Sequence, residues 1–130
     1  MRVADSSALI KYFTREPGWE RVRELLTEGV ITLDLAIKEV ANALWKMVVR
    51  GEMGYDTALT IIRTLLEGAI PVVDERDYLA RALELAAKHK VTVYDALFIA
   101  LALEKSAELV TSDKLQAAAA EKAGVKVVVV

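Results

Sequence analysis

The stretch KVTVYDALFIALALEKSAELVTSDK, running from Lys90 to Lys114, decides the fold. It contains Thr92-Val-Tyr-Asp95, a capping box with aspartate in place of glutamate, which predicts a helix start. From Ala96 to Leu103 no charge interrupts the helix, so it is apolar on nearly every side. Directly after it, AELVTSD reads as a short strand closed by Asp113. A buried helix followed at once by a continuously apolar strand belongs to a parallel sheet covered by helices on both faces. Aspartates nevertheless stand at the two junctions, Asp95 in the first turn of the helix and Asp113 at the end of the strand.

Outward from this unit the same alternation fills the chain. RVAD (Arg2–Asp5) reads as a strand, SSALIKYF and GWERVRELLTEG as helices, VITLD (Val30–Asp34) as a strand, and AIKEVANALWKMVVRG as a helix ended by Gly51. YDTALTIIRTLLEG is helical with an apolar row at Ala58, Leu59, Ile62, Leu65 and Leu66; AIPVVD is a strand and ERDYLARALELAAKHK a helix. Past Asp113, KLQAAAAEKAG is an alanine-rich helix and VKVVVV a terminal strand. No internal repeat or linker breaks the series, and one domain over residues 1–130 is expected.

Composition removes several function classes. A chain of 130 residues with 55% hydrophobic content buries about two thirds of its unfolded surface in one core. It has no apolar run of about 18 residues, and MRVADSSALIKYF lacks a signal-peptide pattern, so a cytoplasmic protein with no membrane partner is expected. Cysteine is absent and His89 is the only histidine, which excludes disulfide scaffolds, thiolate chemistry and multi-histidine zinc sites. One Asn and one Gln beside many Glu, Lys and Arg give a bias seen in thermophile proteins. The net charge of −2 offers no global attraction to nucleic acid, so a polyanionic partner needs a local basic patch or a bound cation.

The acids supply the place for that cation. Strands of an open parallel sheet end along one edge, where such folds place their sites. Asp5 ends the first strand, Asp113 ends AELVTSD, and Asp95 opens the apolar helix. On the helix after VITLD, a 100° wheel puts Ile37, Ala41, Leu44 and Val48 on the buried face and Glu39, Asn42 and Lys46 opposite. Each acid alone fits an ordinary role: Asp5 and Asp113 as N-caps, Asp95 in a helix dipole, Glu39 on a solvated face, as Asp34 and Asp74 read as caps. Together they are four carboxylates at one edge. Two such charges about 4 Å apart repel by roughly 4 kcal/mol at an effective dielectric of 20, which a cation relieves, and all-oxygen ligands suit Mg²⁺ or Mn²⁺.

The ordered set VADSSALIKYF, KEVANALWK, YDALFIALA and LVTSDK resembles the PIN domain, most closely its VapC-type toxin members. The resemblance covers essentially the whole chain. It implies a three-layer α/β/α sandwich with a five-stranded parallel sheet in the order 3-2-1-4-5, homodimers, and Mg²⁺- or Mn²⁺-dependent endoribonuclease activity on single-stranded RNA. By position, Asp5, Glu39, Asp95 and Asp113 match the family's catalytic, metal-holding acids. Thr111 and Ser6 match supporting hydroxyls, and Asn42 matches a residue that orients the glutamate. Asp34 stands where members often carry serine or proline, as a fifth acid near the metal or only a cap. The resemblance further implies a small antitoxin partner that covers the acidic pocket. Lys11, Arg15, Lys46 and Lys114 are candidate contacts to the RNA backbone. Trp45, Met47 and Tyr55 are expected to bury against a twin subunit.

Other folds that gather acids at a sheet edge fit less well. A phosphoacceptor domain wants an early acidic pair and a late lysine followed by proline, and an aspartyl-phosphate phosphatase wants D-x-D where this chain has Asp5-Ser6-Ser7. The competing reading of another class is a non-catalytic PIN-like RNA-binding or scaffold subunit, which cleavage of single-stranded RNA separates from the enzyme.

Overall fold

The computed structural model describes Met1–Val130. β1 (Arg2–Ala4) leads through Asp5 into α1 (Ser6–Phe13) and α2 (Trp19–Glu28); β2 (Thr32–Leu33) runs straight into α3 (Asp34–Val49) and α4 (Tyr55–Leu66). β3 (Val72–Val73) follows, then a 3-10 turn (Glu75–Tyr78), α5 (Leu79–His89) and α6 (Val93–Lys105). β4 (Glu108–Thr111), α7 (Lys114–Lys122) and β5 (Val127–Val129) complete the chain. The α/β alternation and the all-parallel pairing agree with the sequence reading.

The strands are shorter than expected, and this changes the sheet. β1, β4 and β5 form one parallel sheet, with Val3 opposite Leu109 and Val110 opposite Val128, while β2 and β3 form a second. A single continuous five-stranded sheet is not what the backbone makes. VITLD contributes only Thr32 and Leu33 because Asp34 already opens α3, and AIPVVD contributes only Val72 and Val73. With so little strand available, β1 and the β2 segment meet in one parallel bridge, Val3 with Ile31. Ala4 N–H donates to Ile31 O at 2.9 Å and Ile31 N–H to Arg2 O at 3.0 Å. Where the next rung would fall, the buried Thr32 hydroxyl donates to Ala4 O at 2.7 Å.

Both faces of the central strands are covered. Neighbouring strand residues point to opposite faces, yet Leu109, Val110 and Thr111 are all buried. Val110 packs with Ala8 of α1 and Leu25 of α2 on one side. On the other lies the main core, with Val3, Leu109 and the inner residues of α6. α6 is buried from Ala96 through Ala102, enclosed by the strands and by α5. That enclosure explains its uncharged sequence and gives Asp95, at its open end, a rigid mount.

α3 departs from the wheel drawn on its sequence. Its buried residues are Leu35, Ala36, Val40 and Leu44, whereas Ile37, Ala41 and Val48 are only partly buried. The inner face is therefore rotated by roughly 90° from the expected one at 100° per residue. Ala41, Leu44 and Val48 instead join Trp45 to face Tyr55, Ala58, Leu59 and Ile62 of α4 across an apolar groove of about 200 Å³. The rotation carries Glu39 from the solvent side to the flank of the helix.

Candidate active site

Asp5 is the innermost of the four acids, 4% exposed. It sits where β1 ends, its N–H donating to Val110 O at 3.0 Å, so the β1–β4 ladder fixes its backbone. One carboxylate oxygen, Oδ1, caps α1 by accepting from Ala8 N–H at 3.0 Å and also takes the Ser7 hydroxyl at 2.6 Å. Asp113 repeats the arrangement at α7, its Oδ1 accepting from Leu115 N–H at 2.8 Å and Gln116 N–H at 3.2 Å. Capping and site chemistry are thus compatible, because each cap engages Oδ1 and not Oδ2. Asp95 caps nothing. Thr92 caps α6 by accepting Asp95 N–H at 3.1 Å, and its hydroxyl is the one hydrogen-bonding group that acts on the half-buried Asp95 carboxylate.

Glu39, partly buried on the flank of α3, accepts the Ser6 hydroxyl on Oε1 at 2.6 Å. Ser6 therefore supports Glu39 rather than Asp5. Asn42, matched from sequence to a residue that orients the glutamate, is exposed and makes no hydrogen bond to it. Thr111 is fully buried; its hydroxyl accepts Asp113 N–H at 3.0 Å and lies 3.2 Å from the Ser7 hydroxyl. Ser7, which the sequence reading passed over, is the hub: it donates to Asp5, accepts Ser112 N–H at 2.8 Å and meets Thr111. Its only signal in sequence is its place two residues after Asp5. Gln116, also missed, is the sole glutamine and shares the buried face of α7 with Ala119 and Ala120 at helical spacing.

The electrostatics tie the four together. Burial pushes the Asp5 carboxyl up to about 6; the Ser7 and Thr111 hydroxyls and Ala8 N–H pull it down, and the Asp95 charge raises it. Asp95 is raised by burial first, then by the charges of Asp113 and Glu39. No lysine or arginine is among the groups that shift either acid, so the repulsion has no cationic offset from the chain. The donor set is all oxygen and suits a hard divalent cation. Its spacing is open: no three of these four place carboxylate oxygens within 4.8 Å of one another. That suits ions which keep several waters better than a closed protein cage.

Only Asp34, Asp74 and Glu75 gather so closely, and their oxygens have ordinary partners. Asp34 Oδ1 caps the 3-10 turn by accepting Glu75 N–H at 3.0 Å, and Glu75 Oε2 caps α3 by accepting Leu35 N–H at 3.1 Å. Lys38 pairs with Glu75 and Arg76 with Asp74. Asp34 is thus a cap, though for the element across from it rather than its own helix.

Of the candidate RNA contacts, Lys114 is exposed on the first turn of α7, and Lys46 lines a groove with Ile10, Thr14, Met47 and Arg50. Arg15 stacks on Trp19 at 3.9 Å and reaches Tyr12 at 5.1 Å, a cation–aromatic cluster just beyond α1. Met47 is turned away from Trp45 and Tyr55, which are 57% and 65% exposed, so only the latter two share the α3–α4 groove.

Comparison with known proteins places these features in context. The family model described as PIN domain matches residues 2–122. Ribonuclease VapC3 of Pyrobaculum aerophilum is 38% identical over 116 residues, covering 86% of this chain and 88% of that protein. The crystal structure of PAE2754 from Pyrobaculum aerophilum superposes with a TM-score of 0.74 at 27% identity, over 97% of this chain and 82% of that one. FitAcB from Neisseria gonorrhoeae has a TM-score of 0.60 at 20% identity, over 98% and 96%, a likeness of fold alone.

Proposed function

The chain belongs to the PIN domain family, and from that premise we propose that it is a divalent-metal-dependent endoribonuclease of VapC type, hydrolysing phosphodiester bonds of single-stranded RNA as the toxin of a toxin–antitoxin pair. The observation that carries this is the uncompensated repulsion among Asp5, Glu39, Asp95 and Asp113 at the strand ends. The relative named a ribonuclease supports it. In this reading one domain spans residues 1–130, with the strands ordered 3-2-1-4-5 across the Val3–Ile31 bridge.

Bound Mg²⁺ or Mn²⁺ supplies a water of lowered pKa and neutralises charge on the phosphate oxygens. The chain's part is positioning. Asp5, with Asp95 or Glu39, would hold one ion, and Asp113 would hold a second through Oδ2, which the cap leaves unused. Ser6 and Ser7 fix the Glu39 and Asp5 carboxylates by hydrogen bonds and Thr111 holds the Asp113 backbone N–H, so that little reorganisation accompanies the reaction. Lys11, Arg15, Lys46 and Lys114 contact phosphates on either side, and the Arg15–Trp19–Tyr12 cluster suits unstacked bases.

The test is cleavage of an unstructured RNA with Mg²⁺, with Mn²⁺ and with chelator. Cleavage that needs the metal and falls about a hundredfold or more in Asp95→Asn is expected, since Asp95 caps no helix and only the Thr92 hydroxyl acts on its carboxylate by hydrogen bonding. RNA bound but left intact would assign the chain to the non-catalytic RNA-binding or scaffold class instead. The protein acts in the cytoplasm, and its antitoxin, a small protein, covers the acidic pocket.

A homodimer belongs to the same reading, with the α3–α4 groove and its exposed Trp45 and Tyr55 at the interface. Sedimentation at micromolar concentration is expected to give a dimer, and Trp45→Glu a monomer. A monomeric wild type removes this part of the proposal.

A further inference from the structure

Gln116 is 1% exposed, and its side chain is the polar group sealed between the first turns of α6 and α7. Its Nε2 donates to the Asp95 backbone carbonyl at 2.9 Å, while its own N–H donates to Asp113 Oδ1 at 3.2 Å. One residue therefore holds two of the four acids. Because a carbonyl oxygen only accepts, the amide must present Nε2 to it, which directs Oε1 elsewhere. There Oε1 is buried and meets no donor in the protein.

A buried acceptor without a donor destabilises a fold, and methionine, apolar and of similar length, would fill the same space without one. Helix formation does not call for glutamine either, in a segment followed by four alanines. What glutamine alone supplies here is the N–H that clasps Asp95 O. Asp95 and Asp113 repel each other, so a tie from the Asp95 backbone carbonyl through Gln116 to Asp113 Oδ1 holds like charges at a set spacing.

We infer that Gln116 is a positioning residue of the site: it ties α6 to α7 so that the Asp95 and Asp113 carboxylates stay at the separation that metal binding requires. The inference rests on the reading of the four acids as a divalent-metal site. Partners one step removed from a metal's ligands typically change affinity by about 10- to 100-fold when lost.

The experiment compares wild type, Gln116→Met and Gln116→Leu by Mn²⁺ titration calorimetry, by melting in chelator and in Mn²⁺, and by the Mn²⁺ dependence of RNA cleavage. Both variants are expected to melt in chelator within a few degrees of wild type or above it. Their Mn²⁺ affinity falls about tenfold or more. At a Mn²⁺ concentration about 100 times the wild-type dissociation constant, the metal-induced stabilisation then drops to about half. Cleavage needs correspondingly more Mn²⁺ while its rate at saturation changes less. Wild-type Mn²⁺ affinity in both variants overturns the inference. So does melting in chelator about 10 °C or more below wild type in both, which makes the amide a structural group. A wild type that binds no Mn²⁺ fails differently: it removes the metal-site reading, and this inference with it.

Discussion

The Asp5→Asn protein is expected to melt in chelator no lower than the wild type, while its RNA cleavage falls on the order of a thousandfold. The two halves of this result come from the two oxygens of one side chain. Asparagine caps helices nearly as well as aspartate, so an amide oxygen continues to accept from Ala8 N–H and the Ser7 hydroxyl. What disappears is a buried charge facing Asp95, and that charge is unfavourable without a cation. Mg²⁺ or Mn²⁺ at about 100 times its dissociation constant stabilises the wild type by about 2.7 kcal/mol, a shift of several degrees. The variant loses most of this shift. Differential scanning fluorimetry with chelator and with each ion, beside cleavage of an unstructured RNA, reads all three quantities. An equal metal-induced shift in both proteins, or full cleavage by the variant, returns Asp5 to a capping role alone.

Metal-free wild type is also expected to become more stable as pH falls from about 7.5 to about 5, opposite to the usual behaviour of a paired carboxylate. The sign follows from where the proton is held. Asp5 titrates at about 6 in the folded protein and near 3.9 unfolded. Between those values the folded state binds a proton that the unfolded state does not, so acidification favours folding. The stabilisation is complete below the unfolded value and is lost as pH rises through about 6; at roughly two pH units it amounts to about 3 kcal/mol at most. Asp95 is shifted in the same direction and adds to the trend, with Glu39 and Asp113 the other charges facing it. Divalent cation reverses the slope, because metal and protons compete for the same oxygens. Melting in chelator across this range checks it, and the Asp5→Asn profile should be flatter. A wild type that loses stability steadily from pH 7.5 to 5 without metal contradicts the buried-acid account.

What the sequence made legible was order and chemistry; what it hid was contact between distant segments. The uncharged run of α6 announced a buried helix because burial on all sides leaves no place for charge. The acids at strand ends followed from parallel topology alone. α3 misled because it has two apolar faces, one turned to the core through Ala36, Val40 and Leu44 and one turned to α4 through Trp45 and Val48. Periodicity finds such faces without ranking them. Strand lengths were overread for a related reason, since apolar β-branched residues beside a strand can be buried without joining a ladder. Asp34 and Glu75 cap each other's elements at sequence separations of 41 and 40, a pairing no local pattern records. Gln116 lay in a run that reads as helix former, and only its register marked it as buried.

The short β2 strand has a consequence for how the molecule opens. Asp5, Asp95 and Asp113 are carried by β1, β4 and the helices attached to them, whereas Glu39 rides on α3, whose strand belongs to the other sheet. Between the two strand systems the backbone makes a single bridge, supported by the Thr32 hydroxyl and by the Ser6–Glu39 bond. The backbone join is thus narrow, while the packing of α1 on α3 and one shared apolar core hold the two strand systems together. Native-state amide exchange of Ala4 and Ile31, whose N–H groups span this join, is expected to report its local opening before global unfolding. A ligand held by Glu39 together with any of the other three acids would span the same join, and its binding is expected to slow that exchange.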